Sequence, residues 1–295
     1  MLKITTGSYN FFKKTRSNPR LKNRVCYDLD HLDTITDPVA FKEVVSAMQL
    51  NNGTFKTTTQ NRFDDLDERL LANMASKKDQ SLLIHDMAVS DGVTSLQLFE
   101  RLEKNGFQFK LTASDHYNKV MIDKRWGGLI KRVYDTDGLF LNGAWFRIFA
   151  DHKLSGKFSF SQKLGERFKR KTRNEAKEKE ILLINPSLRF SEAFAKIDFE
   201  DYDIFNFKVD QPFDVVRSMN ILNRKYFSDE QLTKAIERIY HSMAPGALLL
   251  VGKTDKETGV NDASFFTKTA SGFEEIEGVN DGSEVKDLVL GFNAG

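Results

Sequence analysis

Ala88, Ser90 and Gly92 place small side chains at every second position of a turn. The turn joins an apolar run, Leu82–Ile84, to an amphipathic segment carrying Leu96, Phe99 and Leu102. A strand, a small-residue loop and a helix start in that order form a site for an anionic group: the backbone can approach a ligand closely, and free N–H groups and the helix dipole converge there. About twenty residues beyond the loop, Asp115 closes a second β-like run, where a carboxylate commonly accepts hydrogen bonds from a ribose diol. Together these features predict a nucleotide-like cofactor. Each residue type also has an ordinary role, since small residues build plain strand-to-helix turns and an aspartate at 115 suits a helix cap before His116.

The elements that would hold these residues follow from hydrophobic spacing. Leu82–Ile84 reads as a buried parallel strand, residues 93–104 as a helix stopped by Asn105-Gly106, and FQFKLTASD (107–115) as a second strand. Two strands joined by one helix imply a right-handed parallel crossover. Upstream, a basic and polar arm (1–36) precedes a helix opened by Asp37-Pro38, with Val39, Phe41, Val44, Val45 and Met48. A second helix from about Asp64 carries Leu66, Leu70, Leu71 and Met74. Between 117 and 180 the pattern is irregular. Asp137-Gly138 signals a β-hairpin, and KLGERFKRKTRNEAKEKE (163–180) reads as a solvated helix or linker. The α/β rhythm resumes with ILLINPSL (181–188), a helix-like SEAFAKI, a strand-like DYDIFNF and the buried strand FDVVRSMNIL (213–222). An amphipathic helix over 229–243, Pro245-Gly246 and the strand ALLLVG follow. The tail reads as a hairpin of ASFFTKT and GFEEIEGV, then a last strand, VKDLVLGF.

Composition removes several classes of function. Forty-four Lys and Arg against 42 Asp and Glu give a net charge of +2, so no global field favours nucleic acid; only the basic run at 163–180 keeps an RNA-directed enzyme as an alternative. Cys26 is the single cysteine, which excludes an internal disulfide and a cysteine-built metal site. The histidines lack ligand spacing, so no metal is expected, and no Gly-x-Ser-x-Gly nucleophile elbow occurs. No stretch approaches the ~20 apolar residues of a membrane span, and the N-terminus has no secretory apolar region. These features read as a soluble, cytoplasmic protein.

Residues 82–99 and 213–255 resemble the class I S-adenosylmethionine-dependent methyltransferases, and more narrowly the CheR-like branch of chemotaxis-receptor glutamate methyltransferases. The Gly-Cys-Ser-x-Gly loop of that branch aligns with Ala88, Val89, Ser90, Asp91 and Gly92, so the serine and the last glycine match. A later block in the branch has an aspartate-bearing strand, an Arg-Asn pair, Tyr-Phe, an amphipathic helix, a Pro-Gly-Gly turn and a Leu-Gly strand end. Here it corresponds to FDVVRSMNIL, Tyr226-Phe227, the helix of 229–243, Pro245-Gly246-Ala247 and Val251-Gly252, with Asn220 matching and Met219 replacing the arginine. The resemblance implies an α/β, Rossmann-like class I methyltransferase fold: a mixed seven-stranded sheet with helices on both faces. The resemblance leaves residues 1–80 and 117–180 uncovered; from their own patterns, 1–80 read as an N-terminal arm and helical cap, and 81–295 as the cofactor-binding domain carrying a hairpin-containing insertion at about 117–180.

The resemblance also assigns roles. The cofactor would be S-adenosylmethionine, with its carboxylate at Ala88, Ser90, Gly92 and the N–H groups entering the helix, its ammonium at Asp86 and its ribose diol at Asp115. Asp203, or Asp201 in its place, would accept from the adenine amine, Ile204 would cover the ring, and the segment with Asn220 would run beneath the methionine portion. His116, Tyr117, Lys225 and Tyr226 are the candidates for an acceptor pocket, none of them as a base. The implied acceptor is a small molecule or a protein side chain other than a chemotaxis receptor, because Met219 replaces the arginine. A non-catalytic cofactor-binding or regulatory protein with the same fold is the alternative.

Overall fold

A computed structural model describes residues 34–47, 58–125, 130–138, 140–145, 148–151, 178–207, 209–255 and 257–295. The chain forms two compact units, one of Thr58–His116 and Leu188–Gly295, the other of Met1–Thr57 and Tyr117–Ser187. Most of the arm expected at 1–36 and of the basic run at 163–180 lies outside the described residues.

The first unit holds strands β1 (Ser81–Met87), β2 (Gln108–Ser114), β3 (Ile197–Glu200), β4 (Phe213–Met219), β5 (Met243–Thr254), β6 (Asn261–Lys268) and β7 (Phe273–Val279). They form one seven-stranded sheet in the order β7-β6-β5-β4-β1-β2-β3. β1 to β5 run parallel, and β6 and β7 close the sheet as an antiparallel meander. The winding reverses between β1 and β4, and a parallel sheet opens a crevice beyond its carboxyl edge at such a switch point.

Helices α1 (Asp64–Asn73), α2 (Val93–Lys104), α3 (Asp229–Ser242) and α4 (Lys286–Gly291) complete this unit. Because side chains alternate along a strand, Met87, Val216, Leu249 and Val251 share one sheet face, where they pack with Leu232, Ile236 and Ile239 of α3. Burying each of those three α3 side chains contributes about 1.5–3 kcal/mol. A capping box starts α3: Gln231 N donates to Ser228 Oγ (3.3 Å), and Ser228 N donates to Gln231 Oε1 (3.0 Å). Asp86 and Arg217 lie on the opposite face, bonded to Ser95 of α2 and Asp67 of α1. Helices thus cover both faces. At the β5–β6 contact Gly252 is required, since a Cβ there would stand 2.6 Å from Ala263 Cβ and 2.7 Å from Asp262 O.

Three expected strands differ. VKDLVLGF forms helix α4, because Val285 and Val289, four residues apart, are the buried positions, whereas a strand would bury Asp287 with them. The edge strand after β2 is Ile197–Glu200, and residues 204–206 of DYDIFNF form a turn. The segment around Ile181 is not part of the parallel sheet: Glu178–Leu182 pairs antiparallel with Lys119–Arg125.

That last pairing belongs to the second unit. Its described part is helix Pro38–Ala47 and a five-stranded antiparallel sheet, in the order Ile148–Asp151, Phe140–Trp145, Ile130–Tyr134, Lys119–Arg125, Glu178–Leu182. The turn at Asp137-Gly138 forms, with Gly138 at φ +75° and its N–H on Asp135 O at 3.0 Å. Phe41 and Val45 of the helix cluster with Val120, Ile122, Val133, Ile181 and Leu183 of this unit. The helix Pro38–Ala47 and helix α1 therefore fall in different units.

Candidate cofactor-binding site

The small-residue loop leaves β1 at its carboxyl end and turns three times into the left-handed region. Ala88, Ser90 and Gly92 have φ of +58°, +61° and +79°. Only glycine adopts that conformation without steric cost, so Ala88 and Ser90 hold a glycine-like backbone against their own preference. Gly92 has a second requirement: a Cβ would meet Leu188 Cδ2 at 2.7 Å. Ala88 and Ser90 are half-buried, whereas Val89, Asp91 and Gly92 are buried, which leaves the two small residues as the part of the turn that reaches outward.

The loop N–H groups were expected to be free for an anion, and four of them are not. Val89 N donates to Ser114 O (3.1 Å) and Gly92 N to Val89 O (3.0 Å). Ser90 N donates to Asp115 Oδ2 (2.8 Å), and Val93 N to Asp91 Oδ1 (3.3 Å). Asp91 thus places a carboxylate of the chain itself where α2 begins.

Asp86 departs furthest from expectation. It is 3% exposed and its carboxylate is taken up by side chains of the protein. Arg217 Nε donates to Asp86 Oδ1 (2.9 Å), Arg217 Nη2 to Asp86 Oδ2 (2.6 Å), and Ser95 Oγ to Asp86 Oδ2 (2.7 Å). Arg217 also donates to Asp67 Oδ1 (2.6 Å) and to Thr94 O (3.1 Å). A fully buried guanidinium must be paired; Asp86, its register partner on β1, meets it with two hydrogen bonds and Asp67 with one. Burial works against the charge of Arg217, but Asp67 and Asp86 outweigh it and hold its pKa above the ordinary value. Burial pushes Asp67 up, as expected where two carboxylates share one cation.

Asp115 stands half-buried just past β2. Besides accepting from Ser90 N it donates its own N–H to Glu200 O (3.2 Å), which ties the ends of β2 and β3. No helix starts at His116, which lies in a turn with Nδ1 3.5 Å from Asp201 Oδ1. Asp203 caps the following turn, accepting from Phe205 N (3.0 Å) and Asn206 Nδ2 (2.8 Å). Ile204 is 9% exposed, within the α3 cluster. Asn220, at φ +64°, pins β4 to β5: its N–H donates to Gly252 O (2.8 Å), and its Oδ1 accepts from Thr254 N (2.8 Å). Lys225 is exposed and Tyr226 is 42% exposed, in edge contact with Phe227. Tyr117 belongs to the other unit, where its hydroxyl donates to Asp137 Oδ2 (3.3 Å).

The structure therefore joins Ala88–Gly92 to Asp115 and β3, and engages the Asp86 carboxylate with Arg217 and Ser95. Sequence reasoning missed Arg217 and His85. His85 is fully buried, shares a 2.8 Å hydrogen bond with Ser114 Oγ, and packs against the rings of Tyr202, Phe207 and Phe213. The available signal was an arginine directly after the apolar pair Val215-Val216 within a strand. Among the described residues, no group of three or more His, Cys, Asp or Glu is placed to hold a metal ion, and no helix is long and apolar enough to cross a membrane.

Residues 134–273, just under half of the chain, match the family described as CheR methyltransferase, SAM binding domain. Over that span the chain is similar to the CheR methyltransferases. The matched span contains Asp203, β4, α3 and β5 and begins after the small-residue loop and Asp115. No curated protein sequence matches the chain. Among solved structures, the N-methyltransferase NodS from Bradyrhizobium japonicum WM9 in complex with S-adenosyl-L-homocysteine is 12% identical, with 74% of this chain and 76% of that chain covered and a TM-score of 0.34. The Burkholderia thailandensis 1,6-didemethyltoxoflavin-N1-methyltransferase with bound 1,6-didemethyltoxoflavin and S-adenosylhomocysteine is 8% identical, with 78% and 66% covered and a TM-score of 0.35.

The matched family domain binds S-adenosylmethionine, and the residues at the carboxyl edge of the sheet fit that cofactor. A half-buried carboxylate at Asp115 suits a ribose diol. Two half-buried small residues on a left-handed backbone leave room for a ligand to approach, and the buried apolar Ile204 suits an aromatic ring. The fit fails at one point, the ammonium contact expected of Asp86.

Proposed function

We propose that this methyltransferase acts on a small-molecule or protein side-chain acceptor, with the cofactor seated on Ala88, Ser90, Gly92, Asp115, Asp203, Ile204 and Asn220. The observation that carries the site is the 2.8 Å hydrogen bond from Ser90 N to Asp115 Oδ2, which brings the small-residue loop next to the carboxylate proposed for the ribose diol. When bound, S-adenosylmethionine supplies an electrophilic methyl on a sulfonium. The protein then works mainly by orientation, because an in-line displacement proceeds fastest when the acceptor atom is held on the axis opposite the leaving sulfur.

In this reading Asp115 accepts from the ribose hydroxyls, Ile204 lies against the adenine, and Asn220 holds the ends of β4 and β5 together beneath the methionine portion. His116, Lys225 and Tyr226 are the residues of this unit proposed to line the acceptor side. A carboxylate acceptor would need no base, whereas an amine or hydroxyl acceptor would call for one, a role assigned to none of these three. The buried Met219, 4% exposed, offers no charge to an anionic acceptor where the CheR-like branch has an arginine, which supports an acceptor other than a receptor glutamate.

The test has two stages. Calorimetric titration with S-adenosylhomocysteine should show saturable binding, and no heat from either S-adenosylhomocysteine or S-adenosylmethionine would overturn the site. Methyl-labelled S-adenosylmethionine should then label a member of a panel of small amines, hydroxyl compounds, carboxylic acids and peptides. Binding without labelling of any acceptor would overturn the catalytic reading.

A further inference from the structure

We propose that Arg217 is a positioning residue for the cofactor: acting through Asp86 and Thr94 it sets the left-handed course of the Ala88–Gly92 loop, and through Asp67 it couples that loop to helix α1. The inference rests on the cofactor site proposed above. The loop is bracketed by the groups Arg217 holds. Asp86 is the last but one residue of β1 and Thr94 lies in the first turn of α2. Arg217 meets the carboxylate of the first at 2.9 and 2.6 Å and the carbonyl of the second at 3.1 Å. Ser95 Oγ closes the bracket on Asp86 Oδ2 at 2.7 Å.

The bracket has a task to perform. Ala88 and Ser90 sit at φ +58° and +61°, a conformation that non-glycine residues hold only when their surroundings over-determine it. Arg217, through Asp86 and Thr94, and Asp115, through Ser90 N, supply those surroundings. The planar, always-charged fork of arginine can meet Asp86 with two parallel hydrogen bonds and still reach two further acceptors, which lysine cannot do. α1 is attached by Asp67, 2.6 Å from Arg217 Nη1, and by Phe63, whose ring lies 5.5 Å from the guanidinium carbon. The charge that a conventional reading gives to the cofactor ammonium is, in this chain, given to Arg217.

The experiment compares two probes, S-adenosylhomocysteine, which carries the amino-acid end, and 5′-methylthioadenosine, which lacks it. The proposed loop contacts the amino-acid end, so a displaced loop is felt by the first probe only. In Arg217→Lys and Asp67→Asn proteins, calorimetry should show S-adenosylhomocysteine bound about tenfold or more weakly, as for loss of a charge-assisted hydrogen bond, with 5′-methylthioadenosine unchanged. Ser95→Ala, which leaves the Arg217 pairs in place, should shift the first affinity in the same direction and by less. Should Arg217→Lys fail to fold, Asp67→Asn and Ser95→Ala decide the matter. Equal weakening of both probes would mean general damage and overturn the proposal, as would unchanged affinity for both. If the wild-type protein bound neither probe, the cofactor site itself would be wrong, which is a different failure.

Discussion

Arg217 of β4 and Asp86 of β1 are aligned on neighbouring parallel strands and joined by two hydrogen bonds of 2.9 and 2.6 Å, both side chains out of solvent. Removing one partner of such a pair leaves an uncompensated charge, which costs about 3–5 kcal/mol. Arg217→Met should therefore lower unfolding stability by that amount in a urea titration. Asp67→Asn leaves one cation facing one anion and should cost no more than about 1–2 kcal/mol. Equal losses in the two variants would contradict the assignment of Asp86 as the principal partner.

The loop makes the opposite prediction at its small residues. Ala88→Gly and Ser90→Gly remove a left-handed Cβ, a relief of about 1 kcal/mol that the extra freedom of the unfolded glycine partly offsets. Both variants should match or exceed wild-type stability by up to about 1 kcal/mol and retain S-adenosylhomocysteine binding. Ala88→Val should lose at least about 1–2 kcal/mol, since a branched side chain is poorly accommodated at positive φ. Thermal unfolding measures all three, and a stable Ala88→Val protein would show that the turn is not as described.

His85 sets a pH dependence. Burial, opposed by the neighbouring Asp86 charge, lowers its pKa from 6.5 to about 3. The unfolded chain takes up that proton near pH 6.5 while the folded chain does not, so stability is complete above pH 6.5 and falls as the pH drops toward 3. Between pH 6.5 and 5, where most carboxylates stay ionised, the loss should be about 1–2 kcal/mol, at up to ~1.4 kcal/mol per pH unit. Urea midpoints at pH 7 and pH 5 should differ less in His85→Phe than in the wild type. Identical pH slopes would place the titration elsewhere.

Gly252→Ala tests the sheet. Its added methyl would lie 2.6 Å from Ala263 Cβ and 2.7 Å from the Asp262 carbonyl, and an overpacked site of this kind typically costs about 1–3 kcal/mol. Gly246→Ala meets open space at φ +71° and should cost only about 1 kcal/mol. Reversal of that order in denaturant titrations would contradict the β5–β6 register.

The parts of the fold legible in the sequence were those written in short-range patterns. The run Leu82–Ile84, the loop at 88–92 and the helix from Val93 became β1, the turn and α2 almost residue for residue. FDVVRSM, the helix from Asp229 and ALLLVG became β4, α3 and the core of β5. What stayed hidden depended on partners distant in the chain. Arg217 is 131 residues from Asp86 and 150 from Asp67, so neither carboxylate announced that it would serve a buried arginine. VKDLVLGF misled because a short apolar run suits strand and helix alike, and only the packing of Val285 and Val289 decided between them.

The central claim is that the cofactor sits at Asp115 beside the Ala88–Gly92 loop, and titration of S-adenosylhomocysteine into wild-type and Asp115→Ala proteins tests it most directly. Loss of a charged hydrogen bond to the ribose should weaken binding by roughly 1–3 kcal/mol, about five- to 150-fold, with the variant still folded by circular dichroism. An Asp115→Ala protein that binds S-adenosylhomocysteine as tightly as the wild type would contradict the account.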